Sequence, residues 1–256
     1  MSTPAVFSAL WLLLCGTAIL VSSECDYKNS KHTMCKYKEK ACPGKILIRS
    51  GGIPSEDREL IVDLHNMVRS WVASGNQKGL PPAVNMMTLK WDEELAKVAQ
   101  RWADQCLSRS DKDRSDERFR VGQNVGSTWS YHEEDSLLAD PDWETQILAW
   151  YRECAKTNFK ANNINPFRYS VNWGHFTQMI WAETRMVGCG YSYYYQKNKG
   201  FTKLYICNYG PGGNIIGGRM YRKSSRVACK DGFRQAMNSY LGLCENDAPH
   251  DESSSP

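Results

Sequence analysis

The chain has 256 residues, 41% hydrophobic and 23% charged, which suits one globular domain with extensions. No internal repeat is visible, so solenoid and propeller architectures are excluded. The formal net charge of +4 comes from basic residues dispersed among acids, which argues against a nucleic-acid face or a polybasic membrane-surface segment.

The opening stretch, MSTPAVFSALWLLLCGTAILVSSEC, carries no charge through Ser23, and its apolar run from Ala9 to Val21 is too short to span a bilayer well. With Ser22 and Ser23 offering a cleavage site, residues 1–23 are expected to be a signal peptide. No later segment is long and apolar enough for a transmembrane anchor, so the mature chain is expected to be secreted and extracellular. Of ten cysteines, removal of Cys15 leaves nine for an oxidising compartment, an odd number. No C-x-x-C pair is present, which argues against a zinc ribbon or a thioredoxin-like site. No Asn-x-Ser/Thr triplet occurs either.

Residues 24–54 are polar and Lys-rich with three cysteines, an N-terminal arm tied down by disulfides. After Pro54, Ser55 can cap a helix in which Leu60, Ile61, Leu64, Val68, Trp71 and Val72 recur at helical spacing until Gly75. His65 lies at the edge of that stripe. KGLPPAVNMM is a loop or extended link. A second helix starts at Asp92 and puts Leu95, Ala99, Trp102 and Cys106 on one face. SRSDKDRSDERFR is expected to be a solvated loop, and VGQNV a short apolar segment holding Gln123. Asp140 with Pro141 forms a cap and first-turn proline for a third helix carrying Trp143, Ile147, Trp150 and Cys154, with Glu153 near its end. MVGCGYSYYY and KLYICNYG read as two strands joined by QKNKGFT, with Cys189 and Cys207 as staple points. Residues 220–256 form an extension with Cys229 and Cys244 and a tail, ENDAPHDESSSP, of disordered composition. Helices alternating with a few strands, without a strand–helix–strand repeat, predict a mixed α/β (α+β) sandwich. Truncation after about Gly218 is expected to leave a folded core.

GHFTQMIWAETRMVGCG and YICNYGPGGN resemble the two signature segments of the CAP superfamily, which groups cysteine-rich secretory proteins, antigen 5 venom allergens and pathogenesis-related class 1 proteins. LHNMVRS, MMTLKWDEELAKVAQRWADQC and AWYREC add three further stretches in the family order, so the resemblance covers residues 55–219. The arm CKYKEKACPGK and the phrase GQNV look most like arthropod antigen 5. The resemblance implies an α-β-α sandwich with a central antiparallel sheet. It further implies bonds Cys25–Cys35, Cys42–Cys106 and Cys189–Cys207. The family's fourth bond has neither partner here, since DYKNSKHTM and LSRSDKDRSDERF lack cysteine. Cys154, Cys229 and Cys244 fall outside the pattern. Either the last two pair, or Cys154 clips the tail.

The family's cavity gathers two histidines and two acids. Matched motif to motif, it would consist of His65, Gln123, Glu153 and His175, with Gln123 standing where the family carries an acid. Taken alone, a histidine beside a helix stripe or an acid at a helix end is structural. Two imidazoles and one carboxylate imply at most weak zinc binding through His65 and His175, with no cofactor required, because Gln is a poor zinc ligand and no base. No G-x-S-x-G elbow occurs, and Ser127 and Thr177 are the hydroxyls nearest in sequence to the cavity phrases. SYYYQ reads as sheet core rather than a stacking stripe. The reading is therefore a secreted, non-enzymatic protein of antigen 5 type from venom or saliva, with no catalytic residues, that binds a host protein or receptor or a small hydrophobic ligand. Three alternatives stand beside it. One is a metal-assisted or Ser/His protease, and another a sterol or lipid carrier using GLPPAVNMM. The third is an ion-channel modulator, disfavoured because two tail cysteines cannot build the family's channel-regulatory module.

Overall fold

The computed structural model describes residues 25–131, 139–157, 159–225, 229, 233–236 and 240–246. The predicted signal peptide and the end of the acidic tail lie outside these residues. A five-stranded sheet divides the molecule. Its strands are β1 (Ile46–Gly51), β2 (Lys90–Trp91), β3 (Gly122–Ser130), β4 (Met186–Gln196) and β5 (Gly200–Gly210). The order is β1-β4-β5-β3 and every pair on that path is antiparallel, while two-residue β2 runs parallel to β4. Around it lie helices α1 (Thr33–Lys36), α2 (Ser55–Ala73), α3 (Glu93–Ala103), α4 (Trp143–Tyr151), α5 (Glu153–Lys156) and α6 (Gly174–Met179). The implied α-β-α sandwich is what the chain builds: α3 covers one face, and α2, α4 and α6 cover the other.

Strand periodicity assigns the residues to these two sides. Val187, Cys189, Tyr191 and Tyr193 of β4 and Tyr205, Cys207 and Tyr209 of β5 face the larger core beneath α2, α4 and α6. Tyr194, Leu204 and Ile206 face the smaller core under α3, together with Cys42 and Cys106. Gly188 and Gly190 also point towards α3. A Cβ at Gly188 would lie 2.3 Å from the Ala96 amide nitrogen, and one at Gly190 2.4 Å from that of Gln100. The half-cystine between two glycines thus serves both faces: Cys189 bonds Cys207 inside the larger core, and its flanking glycines let α3 lie directly on the sheet.

All three implied disulfides form, Cys229 bonds Cys244, and Cys154 is a free thiol. Asp92, where the sequence starts the second helix, caps α3 by accepting from the Leu95 amide at 2.9 Å. Several local expectations are corrected. Ser55 is the first residue of α2 and not its cap: Pro54 holds the cap position, with no side-chain hydrogen bond to the helix. The cap of α4 is Asp142, not Asp140, accepting from the Thr145 amide at 3.0 Å. The third helix breaks at Arg152, so Glu153 opens α5 instead of ending α4. Leu60 and Trp71 are 39% and 49% exposed, off the buried stripe of α2. The charged 108–120 loop is not wholly solvated. Asp111 is buried and accepts from the Thr33 hydroxyl at 2.5 Å, which clamps the loop to the arm. The arm itself contributes β1 to the sheet edge.

Two features hold α2 in place. Asn66 exchanges hydrogen bonds with Leu89, donating at 3.0 Å and accepting at 2.8 Å. Arg69, fully buried, donates to five backbone carbonyls, those of Met87, Met179, Trp181, Ala182 and Thr184. Burial lowers its pKa to about 9, and among the described residues no carboxylate pairs with it. The fixed fork of the guanidinium suits several carbonyls at once, which a lysine ammonium cannot span.

The extension is integral to the core. Met220, Tyr221 and Leu243 are at most 1% exposed. Cys244 exchanges backbone hydrogen bonds with the 86–88 link, donating to Met86 O at 2.8 Å and accepting from the Thr88 amide at 3.0 Å. The expectation that the chain ends its folded part near Gly218 is therefore overturned: truncation there should lower the thermal unfolding midpoint and cost about 4 kcal/mol or more, from three lost core side chains and one disulfide. An unchanged midpoint would contradict the packing.

Arg69→Leu should destabilise by at least about 3 kcal/mol in urea unfolding, because three buried carbonyls, those of Met87, Met179 and Thr184, lose their donor together. Arg69→Lys should recover only part of the loss. A cost below about 1 kcal/mol for Arg69→Leu would show that the clamp is dispensable.

Candidate functional site

The break at Arg152 aims the Glu153 carboxylate at the start of α6. Its Oε2 accepts from the backbone amides of His175 and Phe176, at 3.0 and 3.1 Å. Its Oε1 accepts from His175 Nδ1 at 2.6 Å. The carboxylate thus caps α6 and fixes the imidazole with its proton on Nδ1. The ring lies against Trp150, centroids 5.9 Å apart and planes 24° apart. His175 keeps a side-chain exposure of 35%, and among the described residues its Nε2 has no hydrogen-bond partner. A neutral imidazole held this way offers one lone pair, able to take a proton or contact a metal.

His65 does not join it. It is fully buried, not at the edge of its helix stripe. Its Nδ1 donates to Ile61 O at 2.7 Å, which leaves Nε2 to accept from the Tyr209 hydroxyl at 2.9 Å. The Tyr209 oxygen accepts in turn from Asn124 Nδ2 at 3.2 Å, and that same amide lies 3.1 Å from His175 O. The two histidines are linked through Asn124 and Tyr209. Sequence reading passed over both linkers, although GQN and NYG contain them; a tyrosine and an asparagine in strand-like segments carry no signal of their face.

Gln123 is adjacent to Asn124 and so points to the opposite side of the sheet. Its side chain accepts from the Asp111 amide at 2.8 Å and donates to Asn208 Oδ1 at 2.9 Å, and Asn208 donates to Leu95 O of α3. Of the four residues expected to line one cavity, the fold brings together Glu153 and His175 and separates His65 and Gln123. Among the described residues no group of three His, Cys, Asp or Glu side chains is placed to hold a metal.

The hydroxyls are elsewhere. Ser127 lies on the α3 side of the sheet, and the buried Thr177 hydroxyl is 2.7 Å from Asn214 Oδ1. Burial pushes the Cys154 thiol up to about 11, which keeps it protonated at neutral pH. Leu80, Ala83, Met86 and Met87 of the apolar link are buried.

Residues 62–209 match the family model of the cysteine-rich secretory protein family (CAP). Venom allergen 5 of Tityus serrulatus is 38% identical over 252 residues, covering 92% of this chain and 58% of that protein's length. Venom allergen 5 of Polistes dominula is 39% identical over 83% of this chain and 96% of its own length. Among solved structures, BmVAL-1 superposes with a TM-score of 0.65 at 28% identity, covering 81% of this chain and 99% of BmVAL-1. A crystal structure of NaASP2 with Zn2+ gives 0.61 at 27%, covering 76% of this chain and 98% of NaASP2.

The buried His65 carries a pH signature. Burial foremost, with the Arg69 charge adding and the Ile61 carbonyl opposing, lowers its pKa from 6.5 to about 4. The unfolded chain takes up this proton near pH 6.5 and the folded chain only near 4. The neutral ring's contribution is therefore complete above 6.5 and is lost as pH falls towards 4, at about 1.4 kcal/mol per pH unit. Urea unfolding across that window should fall more steeply for the wild type than for His65→Gln. Parallel profiles would mean that His65 is not held neutral.

Proposed function

This chain belongs to the cysteine-rich secretory protein (CAP) family, and from that premise we propose that it is a secreted, non-enzymatic binding protein of the venom allergen 5 type. Its targets are a host protein or a small ligand. The relatives named venom allergens support this reading, as do four disulfides, which persist in oxidising compartments. Among the described residues no helix is long and apolar enough to cross a membrane.

The observation that carries the non-enzymatic part is the state of His65. With one nitrogen on Ile61 O and the other on the Tyr209 hydroxyl, it cannot share a metal or a proton with His175 without breaking a buried chain of hydrogen bonds. A single oriented imidazole at His175, with no hydroxyl or thiolate hydrogen-bonded to its ring among the described residues, falls short of a nucleophile–base pair. Zinc enters this reading only as a contact at His175 Nε2, and one imidazole is too few ligands for tight binding.

Calorimetry with zinc, run beside a casein-cleavage assay, tests both parts. Weak binding should vanish in His175→Ala and persist in His65→Gln and Gln123→Glu. Tightening by Gln123→Glu would place that residue beside the metal after all. Casein should stay intact with every variant; cleavage by the wild type that disappears in His175→Ala would make the protein an enzyme.

A further inference from the structure

The two faces of the sheet are not covered equally. Strands β4 and β5 have 11 residues each, about 36 Å of extended chain, whereas the 11 residues of α3 span about 17 Å. Beyond the end of α3 the sheet face is open. A cavity of about 510 Å3 lies there, roofed by the 107–109 segment that leaves α3 and closed at the far end by the β4–β5 turn. That volume is within the range of small-molecule sites. The turn is tight because Gly200 has a φ of +77°, and a Cβ there would meet Ser130 O at 2.2 Å. This brings Lys199 to the mouth.

Two chemistries meet in the cavity. Trp129 and Tyr131 are 64% and 68% exposed and pack edge to face with centroids 5.1 Å apart, an aromatic pair with its outer surface uncovered. Facing them are three cations, Lys45, Arg109 and Lys199, and among the described lining residues there is no carboxylate. Lys45 is anchored, donating to Cys106 O and lying 4.7 Å over the Tyr194 ring. Arg109 and Lys199 are exposed, and among the described residues neither side chain has a hydrogen-bond or ionic partner. Burial foremost, and then the neighbouring Lys199 charge, lower the Lys45 pKa.

We propose that this cavity binds a small anionic molecule with a flat apolar ring system, an aromatic carboxylate or sulfonate, stacked on Trp129 and Tyr131 with its charge towards Lys45, Arg109 and Lys199. The inference rests on the reading of the chain as a binder and assigns that role a site on the opposite face of the sheet from His175. A ring system gains from the uncovered aromatic surface, and an anion relieves the repulsion among the cations.

The probe is 8-anilinonaphthalene-1-sulfonate, titrated by fluorescence into the full chain beside its neutral analogue N-phenyl-1-naphthylamine. One saturable site per chain is expected for the sulfonate. Arg109→Gln combined with Lys199→Gln should weaken the sulfonate about tenfold and leave the neutral amine within about twofold. Trp129→Ala should weaken both, and His175→Ala neither. These side chains are exposed, so the thermal midpoint should not move; if the double variant failed to fold, Lys199→Gln alone gives the same comparison. Sulfonate affinity unchanged in the charge variants, or unchanged in Trp129→Ala, would overturn the proposal. Casein cleavage by a preparation whose sulfonate site behaves as described would overturn the non-enzymatic reading and leave this site standing.

Discussion

A buried guanidinium, with no carboxylate partner among the described residues, organises this molecule, and the neighbouring segments are arranged around it. Among the described residues Arg69 donates only to backbone carbonyls, and these come from two places: the link before β2 and the end and exit of α6. The carbonyls of Trp181 and Ala182 also accept from the Thr184 and Met87 amides, whereas among the described residues those of Met87, Met179 and Thr184 have no other donor and would be buried acceptors left unpaired without Arg69. One side chain therefore registers α2, the link, the exit of α6 and the approach to β4. The six residues of α6 are too few to be stable as an isolated helix. It is held at its start by Glu153 and at its end by Arg69, so the position of His175 is set by two charged groups from other helices.

The sheet is the second constraint. Because side chains alternate along a strand, it works as a partition that neighbouring residues cannot cross. Gln123 and Asn124 are adjacent in sequence and belong to different compartments, one with Asn208 and α3, the other with Tyr209 and His175. The same partition places Cys189 in the larger core and Gly188 and Gly190 against α3. It also separates the imidazole site from the cationic aromatic cleft.

These compartments bear on function differently. The Glu153–His175 pair is built like the outer part of a metal or proton-transfer site, a carboxylate orienting an imidazole, yet the second imidazole is spent on structure. What remains is a positioned ring with one free nitrogen beside Trp150. The cleft, by contrast, carries charge that nothing among its described lining residues balances, the condition in which a ligand gains most from arriving.

Much of this was legible in the chain itself. The apolar spacings from Ile61 to Val72 and from Leu95 to Trp102 and the Tyr- and Val-rich runs determined α2, α3 and the β4–β5 hairpin, because helical and strand periods act over a few residues. The signature segments carried the sandwich and three disulfides. The tertiary structure alone decided what depends on partners distant in sequence. It buried Arg69, and it buried Asp111, whose charged run read as a solvated loop. It drew the arm into the sheet as β1, and it packed Leu243 and Cys244 into the core. It also sent His65 to Tyr209 and Gln123 to Asn208, apart from the pair they were expected to join. A sequence shows which side chains share a face of an element. Which face meets the core, and which polar group finds its donor there, is fixed only when the other element arrives.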